Sequence, residues 1–61
     1  MNKQITIKTL NELKNFLNAL SVDELQAKIG VVTYNDEVPP GTCLLTLDGH
    51  RVEFIGSTHT L

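Results

Sequence analysis

The spacing of hydrophobic residues changes along this 61-residue chain. Residues 4–8 alternate polar and apolar, with Ile5 and Ile7 on one side, which predicts a short half-buried strand. The apolar residues then recur at helical spacing, so we expect one amphipathic helix over about residues 10–20. Its apolar stripe consists of Leu10, Leu13, Leu17 and Leu20, with Phe16 beside it.

Two capping patterns mark where helical structure begins. Thr9 with Glu12 and Ser21 with Glu24 each match the capping box, in which the hydroxyl and the later carboxylate satisfy backbone N–H groups at a helix start. We therefore expect the main helix to begin directly after Thr9. A second short helix or turn is predicted for residues 22 to about 26.

Three further apolar runs, residues 29–34, 43–47 and 51–55, predict strands. The segment 35–42, NDEVPPGT, is rich in turn formers and predicts a loop. Asp48-Gly49 predicts a tight hairpin turn of type I′ between the last two strands, and Gly56 is expected to end the last one. The order is β-α-β-β-β, an α+β fold of one domain, residues 1–61, with one main helix on a small mixed sheet. Parallel pairing of the first strand with the strand after the helix is one arrangement that a right-handed crossover allows, and the pattern leaves the strand order open.

Alternation within these strands assigns their side chains to two faces of the sheet. The expected core face holds Val31, Leu45, Val52 and Phe54, and the second face holds Val32, Tyr34, Leu44 and Ile55. Burying those last four would contribute about 1.5–3 kcal/mol each before the costs of association. We therefore expect a homo-oligomer, a dimer or larger, formed through this second face or through strand edges. A monomer with ordinary exposed apolar residues is the alternative.

Composition excludes several classes of protein. The net charge is −2, there is no Trp and only three aromatic residues occur, which argues against nucleic-acid binding. No apolar run approaches the roughly 20 residues of a membrane span, and the first ten residues lack the apolar core of a signal peptide. Cys43 is the single cysteine, which rules out a disulfide within the chain and fits a reducing cytoplasm.

Candidate chemistry is sparse. Cys43 alternates with core leucines, His50 follows a turn, and Asp36-Glu37 lies in a loop, so we expect no catalytic residue, metal site or cofactor. The protein is therefore expected to bind rather than to catalyse. A ligand site is expected to combine residues at strand ends with the one arginine, completed by a second subunit. Its predicted members are Tyr34, Asn35, Arg51, Thr58 and His59.

Residues 10–32, with the pattern L-x-x-L-x-x-F-L-x-x-L-S-x-D-E-L-x-x-x-I-x-V-V, resemble small phage and prophage proteins that combine a helix, a turn and apolar strands. The groups called Sequestin and Lockin are small oligomeric phage proteins that sequester nucleotide immune signals of the ADP-ribose type. The resemblance implies an anti-defence protein in the host cytoplasm that captures an ADP-ribose-type or cyclic nucleotide. It carries over no site residue. The alternative is a protein-interaction module that inhibits or adapts a host protein through its apolar sheet face or edge.

Overall fold

The computed structural model describes residues 2–59 and confirms the α+β class. Its elements are β1 (Asn2–Ile7), α1 (Leu10–Asn18), α2 (Val22–Leu25), β2 (Lys28–Asn35), β3 (Cys43–Asp48) and β4 (Arg51–Ser57). The expectation that Gly56 ends the last strand is wrong. Gly56 pairs with Cys43, the first residue of β3, and with Tyr34 of β2, and the pairing with β2 continues to Ser57.

The four strands form one sheet in the order β1-β3-β4-β2. β3 is antiparallel to both β1 and β4, whereas β2 is parallel to β4. The parallel pairing of β1 with β2, which the sequence left open, does not occur: the two strands run in the same direction but lie at opposite edges. The β3–β4 hairpin takes the two central places, and the helical connection from β1 to β2 spans the sheet.

Both predicted helix starts are capped by their hydroxyl residues. The Glu12 backbone N–H donates to Thr9 Oγ1 at 3.3 Å, while the Glu12 carboxylate accepts from the Lys8 backbone N–H. At α2 the box is complete, since the Glu24 N–H donates to Ser21 Oγ and the Ser21 N–H donates to Glu24 Oε1 at 2.9 Å. These caps explain how two short helices begin at defined residues.

The β3–β4 hairpin has two central residues, Gly49 and His50, because Asp48 pairs directly with Arg51. Gly49 has φ = +60°, and no residue other than glycine has positive φ within residues 2–59. A type I′ turn needs positive φ at both central positions, so that part of the prediction is wrong. A positive φ at the first central residue alone is the pattern of a type II′ turn, which has glycine at that place.

The core lies on the central strands beneath α1. Leu45 and Leu47 of β3 are buried, as is Val38 in the loop that links β2 to β3. The helices are less deeply packed, since neither α1 nor α2 has a buried residue. Leu10, predicted as part of the apolar stripe, is the first residue of α1 and is 83% exposed, so this leucine adds little to the core.

The two faces of β2 differ from the predicted ones. The pairing of β2 with β4 shifts register between Ile29 and Val31, so Val32 pairs with Phe54 while Val31 pairs with Glu53. Laterally paired residues share a face, so Val32 lies on the helix side of the sheet and Val31 on the other. The extra residue at this bulge reversed the alternation on which the predicted core and interface sets depended.

Candidate binding surface

The helix side of the sheet is only half covered. α1 lies next to β1, and β2 is the edge strand at the far side of the sheet. As a result, three apolar side chains of β2 remain open on the side that would normally be buried. Ile29 is 65% exposed, Val32 is 67% exposed and Tyr34 is 69% exposed. Leu17 and Leu25 are also exposed on the helices at this side, so residues 2–59 leave an apolar surface uncovered between the helices and β2.

The ring of Tyr34 packs against the backbone of the neighbouring strand on this surface. Its partner across the β2–β4 pairing is Gly56, and a Cβ placed on Gly56 would lie 3.3 Å from both Cδ1 and Cε1 of the tyrosine ring. The ring therefore lies across the bare backbone of β4, on the strip where any other residue would place a side chain. With 69% of the residue exposed, the other face of the ring is open to solvent.

Polar groups collect at the same end of the sheet. β2 and β4 are parallel, so Asn35 and Ser57 end them side by side. Asn35 Oδ1 accepts from the Glu37 backbone N–H at 2.7 Å, which closes a turn directly after the strand. Ser57 Oγ accepts from the His59 backbone N–H at 3.0 Å. The predicted ligand residues Tyr34, Asn35, Thr58 and His59 therefore lie at one end of the sheet.

Arg51 does not join them. It is the first residue of β4, and at roughly 3.3 Å per residue it lies about 20 Å from the end of that strand. Its side chain crosses the neighbouring strand at Gly30, where an added Cβ would clash with Nε, Cγ and Cδ of the arginine. Its Nε is 4.0 Å from the Glu53 carboxylate. Within one subunit, a small ligand held at Tyr34 is out of reach of this guanidinium.

The four residues predicted to form the oligomer interface lie on two different faces of the sheet. Val32 and Tyr34 are on the helix side, whereas Leu44 and Ile55 pair with each other on the opposite side and are half-buried. The four residues do not form a common patch. The exposed apolar residues lie on the side of the helices, and the bulge at Gly30 is the feature that sequence alternation missed.

A second feature that the sequence did not indicate is a groove between the helices and the sheet. It has a volume of about 190 Å³ and contains none of the predicted ligand residues. Its walls are almost entirely apolar, with Leu17, Leu20 and Leu25 on one side and Leu47 and Phe54 on the other. Drug-sized ligands occupy pockets of roughly 300 Å³ or more, so the groove suits a single apolar side chain better than a whole metabolite.

An ion pair lies beside this groove, which Glu24 lines. Lys3 Nζ lies 3.0 Å from Glu24 Oε2 and joins β1 to α2. The pKa of the Glu24 carboxyl is lowered, first by the hydrogen bond from the Ser21 backbone N–H and then by the hydrogen bond from Lys3. This carboxylate caps α2 and holds it to the sheet, which is a structural role.

The remaining candidate groups are separated from one another. Cys43 is half-buried on the helix side of β3, and His50 is exposed in the hairpin turn. Among residues 2–59, no three histidine, cysteine, aspartate or glutamate side chains lie close enough to hold a metal ion. Neither helix in that range has the length and apolar character needed to cross a membrane.

Comparisons with known proteins gave no relative: no family model, no curated protein and no solved structure matched the chain. The geometry of the surface therefore carries the functional argument.

Proposed function

We propose that this protein is a non-enzymatic binding protein that captures a nucleotide-derived ligand by stacking its flat ring on Tyr34. The observation that supports this proposal is the tyrosine ring held across Gly56 with its outer face open. An aromatic ring supported on one side and free on the other offers a stacking surface to a base. Stacking of this kind contributes about 1–3 kcal/mol per base.

The polar end of the sheet supplies the other half of a nucleotide site. Thr58 lies two residues beyond Gly56 and offers a hydroxyl and a backbone N–H group, which are groups that bind phosphate and ribose oxygens. Asn35 and His59 lie at the same end. Capture without turnover requires only such contacts, and it is the activity that the resemblance to sequestering phage proteins implies. The proposal therefore includes an ADP-ribose-type or cyclic nucleotide as the ligand and the host cytoplasm as the place of action.

The test uses the fact that Tyr34 is the only tyrosine and the chain has no tryptophan. Intrinsic fluorescence therefore reports on the proposed platform alone, and calorimetry on the same samples gives the affinity without optical interference. We expect at least one of ADP-ribose and a panel of cyclic nucleotides to bind. Tyr34→Ala should weaken that binding by about 5- to 150-fold, which corresponds to a loss of 1–3 kcal/mol.

Tyr34→Phe is the matched control, because it keeps the ring and removes only the hydroxyl. We expect it to bind within a few-fold of the wild type. The proposal fails if no member of the panel binds, or if Tyr34→Ala binds as tightly as the wild type while remaining folded by circular dichroism.

A second function is favoured by the apolar surface itself. Ile29, Val32 and the neighbouring groove form the kind of exposed patch that marks protein-binding sites. A protein-interaction module would use this patch to inhibit or adapt a host protein. It would bind no nucleotide, and Ile29→Lys would abolish its complex with the host protein. These two outcomes separate it from the ligand-capturing protein.

A further inference from the structure

We infer that β2 pairs in antiparallel fashion with β2 of a second copy, across a two-fold axis at Thr33. This inference goes beyond the proposed ligand site and does not depend on it. It rests on the open edge of β2, on the distribution of charge along that edge, and on the amount of surface that the single subunit leaves exposed.

The outer edge of β2 is open and unprotected. β2 pairs with β4 on one side, and within residues 2–59 no strand pairs with its other side. Edge strands usually carry charges or proline that discourage pairing with other chains. β1, at the other edge, has Lys3 and Lys8 along and beside it, whereas no charged residue or proline occurs in 29–35. The bulge at Gly30 disturbs only the beginning of the strand, so residues 31–35 remain regular.

One antiparallel register pairs all of residues 31–35 with the same residues of the second copy. Residues that face each other across an antiparallel pair must lie on the same side of the sheet, and the strand is followed by the turn at Asn35. Centring the axis on Thr33 pairs Thr33 with itself, Val32 with Tyr34 and Val31 with Asn35. The pairing of Val32 with Tyr34 occurs twice by symmetry, and both residues lie on the helix side of the sheet, as antiparallel partners must.

Charge distinguishes the antiparallel arrangement from a parallel one. Lys28 begins β2, and Arg51 lies across Gly30, which carries its guanidinium from β4 toward the open edge. Asp36 and Glu37 follow the other end of the strand. Antiparallel pairing places the basic end of each copy beside the acidic end of the other, and this happens twice. Parallel pairing would instead bring like charges together, which is unfavourable.

The exposed area is consistent with a missing partner. The chain has a solvent-accessible surface of 4509 Å². A folded monomer of 6.8 kDa is expected to expose roughly 4,000 Å², so the excess is about 500 Å². Stable interfaces bury about 800 Å² per partner, and those below this size belong to weaker, transient pairs. We therefore expect a weak, concentration-dependent dimer.

This dimer leaves the proposed ligand platform accessible. A two-fold axis perpendicular to the sheet keeps the helices of both copies on one side and joins two four-stranded sheets into one of eight strands. The uncovered halves of the two sheets then lie next to each other between the helices. Tyr34 of each copy faces into this shared trough, so pairing and ligand capture do not compete.

The test introduces a charged residue at the two-fold axis and measures dimerisation by sedimentation equilibrium. Thr33 is exposed, and in the proposed dimer it lies opposite Thr33 of the second copy. Thr33→Lys and Thr33→Glu should therefore each place like charges opposite one another and weaken dimerisation at least 10-fold. A mixture of the two variants should restore a dimer, because unlike charges then face each other. Thr6→Lys, an exposed threonine on the other edge strand, is the matched control and should dimerise like the wild type.

A disulfide provides a second measurement that does not rely on destabilising a contact. In a Cys43→Ala background, Thr33→Cys should cross-link to itself under mild oxidation, because opposed antiparallel residues have Cα atoms about 4.5–5.5 Å apart, within disulfide reach. Thr6→Cys in the same background should remain mostly uncross-linked. A wild type that stays monomeric at high micromolar concentration would overturn the inference, and so would equal cross-linking at positions 33 and 6. Failure of every nucleotide to bind would leave it standing.

Discussion

Truncating Leu47 should remove a large share of the stability of this domain. Leu47 is 2% exposed, lies on the central strand β3 and pairs with Lys3 on one side and Val52 on the other. Leucine-to-alanine changes at buried sites cost about 2.7–5 kcal/mol. We expect the lower part of that range for Leu47→Ala, about 3 kcal/mol, because the side chain borders the groove beneath α1 and the loosely packed helix can settle into the released space.

That loss is large for a chain of 61 residues, whose total stability is expected to be about 3–9 kcal/mol. Urea unfolding followed by far-UV circular dichroism measures it, at protein concentrations of a few micromolar so that self-association adds little. Leu10→Ala is the matched control, because Leu10 is 83% exposed and should lose less than about 0.5 kcal/mol. If the two variants lose similar amounts, the core does not lie where the structure places it.

Three further changes test the local structure. Ser21→Ala removes the hydroxyl of the complete capping box and should lower the free energy of unfolding by about 1 kcal/mol in urea titrations. Glu24→Gln tests the lowered pKa of that carboxyl, whose contacts stabilise the fold above its usual value of 4.5 and are lost as the pH falls through the lowered folded value. The variant should be less stable than the wild type at pH 7, and the difference should shrink on acidification; a difference independent of pH would contradict this. Gly49→Ala should cost about 1 kcal/mol through backbone strain alone, since its φ is +60° and an added Cβ would meet no atom within 4 Å. A wild-type stability for Gly49→Ala would argue against the type II′ turn.

Local features of the fold could be predicted because their causes lie within a few residues. The two capping patterns place the helix starts at Leu10 and Val22, as the structure shows. The hairpin after Asp48 follows from a glycine that can adopt positive φ. Each of these features depends on one turn of backbone and the side chains that cap it, so the residue types are sufficient to identify it.

Features that depend on distant pairing could not be predicted. The strand order is decided by which surfaces pack together, and no short pattern encodes the insertion of the β3–β4 hairpin between β1 and β2. The bulge at Gly30 makes the run Gly30-Val31-Val32 ambiguous, because a one-residue shift exchanges the faces of both valines. Arg51 and Tyr34 lie at opposite ends of the β2–β4 strand pair, and this too follows from the parallel pairing of the two strands.

Both proposals use the same unusual property of this fold, a sheet whose helix covers only one half. The helix-side residues of β2 are available to a ligand, and its outer edge is available to a second copy. Gly30 and Gly56 have matching roles on the two sides of this strand pair, since each leaves room for a long side chain, Arg51 and Tyr34, from the neighbouring strand. The Arg51 side chain carries positive charge toward the outer edge of β2, and the Tyr34 ring forms the stacking surface.

The most direct test of the ligand site is an amide ¹H–¹⁵N map of the labelled protein during titration with ADP-ribose and cyclic nucleotides. The platform on Tyr34 predicts that the largest shifts occur at Gly56, which lies beneath the ring, and at Asn35 and Thr58 beside it. Amides in the groove, such as that of Ala27, should change little. Shifts centred on the groove or on Arg51, or the absence of any shift across the panel, would rule out a ligand site on Tyr34.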